Sequence, residues 1–105
     1  MNNKLIDEQT NRLFDAVLNL KTREECYQLF EDLCTVSELR AMSQRFHVAE
    51  LLSEGRIYTD ITQETGASTA TISRVNRSLV YGTDGYKNAL ERLRKAKTAA
   101  DEAEQ

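Results

Sequence analysis

The chain has 105 residues and a formal net charge of −3, with no proline and only four glycines, at Gly55, Gly66, Gly82 and Gly85. That length allows one domain with a modest core, and small helical chains often complete such a core with a second copy. No stretch alternates apolar and polar residues over strand length, no apolar run approaches the ~18 residues of a membrane span, and the acid-containing N-terminus MNNKLIDEQT does not read as a signal peptide.

These features predict an all-α protein: one helical domain over residues 1–97, followed by an acidic, frayed tail over 98–105. Cys26 and Cys34 lack a CxxC spacing and a histidine-partner pattern, and His47 is the single histidine. No metal site is expected, and the cysteines read as reduced, buried thiols of a cytoplasmic protein. The net charge hides a split. Residues 1–64 carry −5, residues 65–97 carry +5 and residues 98–105 carry −3. Phosphate contact uses one face of a protein, so a basic segment matters more than the total.

From about Asn3 to Leu20 the apolar residues Leu5, Ile6, Leu13, Phe14, Ala16, Val17, Leu18 and Leu20 follow helical spacing. The stripe is broad, which suits burial against a partner chain or in a bundle core. Thr22 and Glu25 form a capping-box pattern, opening a second helix over Arg23–Leu33 with Tyr27, Phe30 and Leu33 (or Leu29) inward. Thr35 and Glu38 repeat the pattern and open a third helix over Val36–Ser53, ended by Gly55. His47 lies within this helix as a surface or half-buried structural residue.

Tyr58 to Leu79 reads as a helix-turn-helix. Ile61 is the inward residue of a short helix, Gly66 makes the turn, and Ser68 can cap the amide of Ala70 or Thr71 at the start of a second helix. Ile72 and Val75 share the face that packs back. Thr69, Ala70 and Thr71 present small side chains and free amides, followed by Ser73, Arg74 and Arg77; residues 65–83 contain no acid. An ordinary helical hairpin is the plainer alternative, and Thr62 stands where a tightly crossed pair prefers alanine. Gly82 closes the second helix. Thr83 or Asp84 can cap a last one, running to Lys97 with Tyr86, Leu90 and Leu93 inward.

LCTVSELRAMSQRFHVAELLSEG followed by ITQETGASTATISRVNRSL resembles the Trp-repressor family, most closely the Trp-repressor-like proteins of Gram-positive bacteria, whose ligand is generally unassigned. The resemblance spans roughly residues 5–95. It implies a six-helix fold and an intertwined homodimer that presents two recognition helices to a pseudo-palindromic operator in double-stranded DNA, about one helical turn apart. It places Arg45 and Arg74 where tryptophan-binding members sandwich the indole. Those members carry glycine directly after the second arginine. Here Val75 fills part of that space, which implies a small-molecule corepressor other than tryptophan, or none.

The expected function is therefore a transcriptional regulator, a repressor. Arg77 and Lys87, with the amides of Ser68 to Ala70, would anchor phosphates. Thr69, Ala70, Ser73 and Arg74 would set sequence preference. A replication-initiator domain is disfavoured by the missing phosphate loop. A helical dimerisation or adaptor protein with a basic protein partner is the alternative from another class. No GxSxG, HExxH or catalytic cluster points to an enzyme.

Overall fold

A computed structural model describes residues 2–104. A 3-10 turn, Asn3–Leu5, precedes six helices: α1 Glu8–Leu18, α2 Arg23–Leu33, α3 Val36–Ser53, α4 Tyr58–Thr65, α5 Thr69–Tyr81 and α6 Gly85–Ala103. Among the described residues there is no strand, and no helix is long and apolar enough to cross a membrane. Contacts divide the chain into two compact units, Met1–Arg40 and Ala41–Gln105.

In the first unit the helix boundaries follow from caps. The apolar stripe from Asn3 does not run as one helix. Asp7 interrupts it, because its carboxylate accepts from the Thr10 amide at 2.7 Å and starts α1 afresh at Glu8. At α2, Thr22 accepts from the Glu25 amide at 3.1 Å, while Glu25 reaches back to the Lys21 amide at 2.9 Å, one residue beyond the usual partner. The third helix opens on a reciprocal pair: Thr35 accepts from the Glu38 amide at 3.1 Å, and Glu38 accepts from the Thr35 amide at 2.9 Å.

Neither α1 nor α2 contains a buried residue. Tyr27 and Leu33, expected inward, are largely exposed, and only Leu29 and Phe30 of that helix's large apolar residues are half-buried. Cys26 is exposed and Cys34 half-buried, not buried as expected. The physical reason is common to all four residues. Two short amphipathic helices have too little surface between them to cover their apolar sides.

The second unit has a core. Val48, Ala49 and Leu51 from α3, Ile61 from α4, Ala67 from the turn, and Ile72 and Val75 from α5 form one buried cluster, flanked by Leu52, Tyr58, Tyr86 and Leu90. Full burial of each Val, Leu or Ile contributes about 1.5–3 kcal/mol. The end of α3 is a Schellman motif: the Arg56 amide bonds the Leu51 carbonyl at 3.1 Å and the Gly55 amide that of Leu52 at 3.0 Å, with Gly55 at φ +82.

Helix α6 differs from expectation at both ends. Asp84 holds the N-cap position at φ +65 but makes no side-chain cap hydrogen bond. The helix continues past Lys97 to Ala103, so residues 98–103 are helical. The alanines and Glu102 there are good helix formers, no breaker intervenes, and the Thr98 hydroxyl donates to the Arg94 carbonyl at 3.0 Å. Leu93, expected inward, is 55% exposed.

Candidate nucleic-acid interface

The α4–turn–α5 segment is fixed from several sides. Gly66 takes the left-handed conformation, φ +73, which an L side chain adopts only with strain. Next to it, Ala67 is buried in the core and pins the turn. The Thr65 hydroxyl donates to the Ile61 carbonyl at 2.7 Å and accepts from the Ala67 amide at 3.1 Å. From α3, Gln44 donates to the Thr65 carbonyl at 3.1 Å. Sequence reasoning passed over Gln44. Its only signal was a polar residue lying among the inward positions of α3.

Helix α5 begins at a true N-cap. The Ser68 hydroxyl oxygen accepts from the Thr71 amide at 3.1 Å and its O–H lies 3.0 Å from the Thr71 hydroxyl. Thr71 is half-buried, and its amide is the one Ser68 caps, one of the two caps expected, which takes it out of the free amides of the first turn. The amides of Thr69 and Ala70 remain without intrahelical acceptors, as the first turn of any helix requires.

One face of α5 carries Ile72, Val75 and Leu79 into the core. Thr69, Ala70, Ser73, Arg74 and Arg77 are exposed. A helical period of 3.6 residues puts Ala70, Arg74 and Arg77 on the side away from that core.

Charge is distributed unevenly over the pair. On α4, Glu64 is paired with Arg56 at 3.0 Å and lies 3.9 Å from His47, and Asp60 lies 3.8 Å from Arg56. His47 also lies 3.6 Å from Glu50. These exposed pairs stabilise little, about 0–1 kcal/mol each. The effect of Arg56 on the field matters more, because it offsets the acids nearest the turn. Arg74 and Arg77 make no ion pair among the described residues.

Lys87 stands apart. It lies on α6, 3.8 Å from Asp84, and lines a cleft of about 560 Å³ with Glu50, Glu54, Leu79, Leu90 and Arg94. No ion pair joins Arg74 or Arg77 to the acid that holds Lys87 among the described residues. A second cleft, of about 530 Å³, lies between Phe46, Ser78, Gly82, Thr83, Gly85 and Tyr86. Arg45, Arg74 and Val75 line neither. Arg45 and Arg74 are exposed, whereas Val75 is only 3% exposed and belongs to the core cluster. Among the described residues no group of three or more His, Cys, Asp or Glu is arranged to hold a metal ion.

The sequence profile of the Trp repressor protein family matches residues 8–94. The chain is 50% identical over 95 residues to the uncharacterized protein YerC of Bacillus subtilis (strain 168), covering 90% of this chain and 91% of that one. Its fold matches the crystal structure of a TrpR-like protein from Eubacterium eligens ATCC 27750 with a TM-score of 0.85 and 58% identity, over 88% of this chain and 95% of that one. It also matches a Trp-repressor-type protein from Staphylococcus aureus with a TM-score of 0.87 and 53% identity, over 90% and 95%. The chain therefore belongs to the Trp repressor family and has that family's all-α, helix-turn-helix fold of DNA-binding regulators.

Proposed function

We propose that the chain is a cytoplasmic transcriptional repressor that binds a pseudo-palindromic operator as a homodimer. The observation that carries this reading is α5. Its first turn is capped and small, and its outer face holds two arginines that make no ion pair among the described residues. Such a helix can bring Thr69, Ala70, Ser73 and Arg74 to base edges in the major groove, while Arg77 and the amides of Ser68 to Ala70 hold phosphates. Lys87 gives a further phosphate contact once it leaves Asp84, a weak exposed pair. The apolar residues that α1 and α2 leave uncovered support a second copy as the dimer partner.

Tryptophan is not the corepressor in this reading. Val75 occupies the place after Arg74 with a β-branched side chain packed into the core. Isothermal calorimetry is expected to show no tryptophan binding; micromolar affinity would overturn this part.

Selection from a random DNA pool, followed by mobility shift, tests the main reading. The expected result is an enriched sequence with two related half-sites spaced about 10 bp centre to centre. Arg77→Ala is expected to weaken binding on every sequence and to reduce the salt slope by about 1 per half-site, whereas Thr69→Ala and Ser73→Ala change which sequences are enriched. No enrichment of any DNA, with capture of a basic protein instead, would favour an adaptor.

A further inference from the structure

We propose that Tyr81 is an additional DNA-contacting residue, seated at the groove rim and bound to the sugar–phosphate backbone. The proposal rests on the DNA-binding reading above and extends it to a residue outside the helix-turn-helix motif proper.

Tyr81 is the last residue of α5 and is 83% exposed, more than any other large apolar or aromatic side chain described. Core packing gives no reason for an aromatic ring there. Its position on the helix is informative. Arg74, Arg77 and Tyr81 are spaced three and then four apart, so they lie along one stripe. That stripe is opposite Ile72, Val75 and Leu79, which are in the core. The two guanidinium groups and the phenol thus form one continuous outward surface.

Length then selects what Tyr81 can reach. From Thr69 to Tyr81 the helix rises about 18 Å at 1.5 Å per residue. The major groove is about 12 Å wide and 8.5 Å deep. With the Ser68-capped end among the bases, the other end of α5 lies beyond the groove, level with the sugar–phosphate ridge. A phenol can donate to a phosphate oxygen, and its ring can cover a sugar. The contact carries no positive charge and so releases no counterion. This separates it from Arg77, whose contact does. The helix stops directly afterwards at Gly82, which keeps the ring at the end of the stripe.

The test measures DNA affinity of the full chain, Tyr81→Phe and Tyr81→Ala across a range of salt concentrations, with Arg77→Ala alongside. Phosphate-ethylation interference is run on the selected site. Tyr81→Ala is expected to weaken binding by roughly three- to tenfold on selected and unselected DNA alike, with an unchanged salt slope. Tyr81→Phe is expected to fall between, and to lose sensitivity to ethylation of one rim phosphate per half-site. Circular dichroism should be unchanged, because the side chain is exposed. Equal affinity of the parent and Tyr81→Ala overturns the proposal while leaving DNA binding by α5 intact. So does a loss that sedimentation traces to altered self-association. If the parent binds no DNA, the underlying reading fails and takes this proposal with it.

Discussion

Gln44 and Thr65, twenty-one residues apart, are joined by a hydrogen bond of 3.1 Å from the amide nitrogen of the first to the carbonyl oxygen of the second. The bond ties the middle of α3 to the residue just before the left-handed Gly66. Through it the scaffold helix holds the turn that sets the angle of α5. An isosteric change isolates its contribution. Gln44→Glu removes the N–H donor at neutral pH and turns a carboxylate toward a carbonyl. Stability is expected to fall by about 1–2 kcal/mol at pH 7. The introduced carboxyl is disfavoured in its charged form, so its folded-state pKa is raised. The deficit is therefore present above that raised value and shrinks as pH falls through it, where an O–H donor returns. Urea unfolding of variant and parent at pH 7 and near pH 4 measures this. A deficit independent of pH would show that the hydrogen bond is not its cause.

Gly82 and Gly85 make a matched pair three residues apart. Gly82 has a negative φ of −82, so its requirement is not left-handed backbone. A Cβ there would collide with the Ser78 carbonyl oxygen, the same atom that accepts the Gly82 amide at 2.9 Å. Because the obstacle is backbone, it cannot swing aside. Gly82→Ala is expected to cost about 1–3 kcal/mol. At Gly85, a Cβ would meet only the Thr83 hydroxyl at 3.7 Å, an ordinary contact. Gly85→Ala, at the first position of α6, is expected to be neutral or to stabilise by up to about 1 kcal/mol. Thermal melting of the two variants should give shifts of opposite sign, or one shift and none.

The contrast shows which parts of the fold can be read from sequence. Thr22 with Glu25, Thr35 with Glu38, and Ser68 are local signals, and the helices they open begin where those residues predict. Ile72 and Val75 were equally legible, because three-residue spacing fixes a common face. Asp7 carried the same kind of signal as Thr22. A helical apolar pattern on both sides masked it. The inward assignments of Tyr27, Leu33 and Leu93 failed for another reason. Periodicity identifies an apolar face but not what covers it. The Gln44–Thr65 bond and the Gly82 contact depend on distances between separated groups, and no local pattern encodes those.

Glu38 provides a pH-dependent contribution to the start of α3. The Thr35 amide and, secondarily, the Thr35 hydroxyl side hold its carboxyl below the ordinary glutamate range. A depressed folded-state pKa fixes the sign. The contribution is complete above the unfolded-state value and is lost as pH falls through the lower folded-state value. Glu38→Gln retains a carbonyl oxygen that can accept from the Thr35 amide, but without charge. Its urea midpoint is expected to lie below the parent's by a constant amount at neutral pH. The gap should narrow in acid, as pH falls from the ordinary glutamate range through the lower folded-state value. A gap that stayed constant through that range would assign the difference to shape or packing, not to charge.

Phe14 and Leu18, four residues apart on α1, are 57% and 79% exposed. Nothing in their own unit buries them, and that unit contains no buried residue in α1 or α2. Two large apolar side chains on one helix face would each gain about 1.5–3 kcal/mol from full burial. A second copy can supply that cover, and binding that favours the folded state makes the melting temperature depend on concentration. The parent is therefore expected to sediment as a dimer and to melt at a higher temperature as protein concentration rises. Phe14→Glu puts a charge where the partner would pack. Leaving it uncompensated in an apolar contact costs several kcal/mol, enough to move the dimer into the micromolar range or beyond. The variant is expected to sediment as a monomer and to lose the concentration dependence. It should also lose DNA affinity, because two half-sites can then be engaged only one at a time. A parent that is monomeric, and melts at one temperature at every concentration, would leave this apolar surface to a different protein and would remove the basis for paired half-sites.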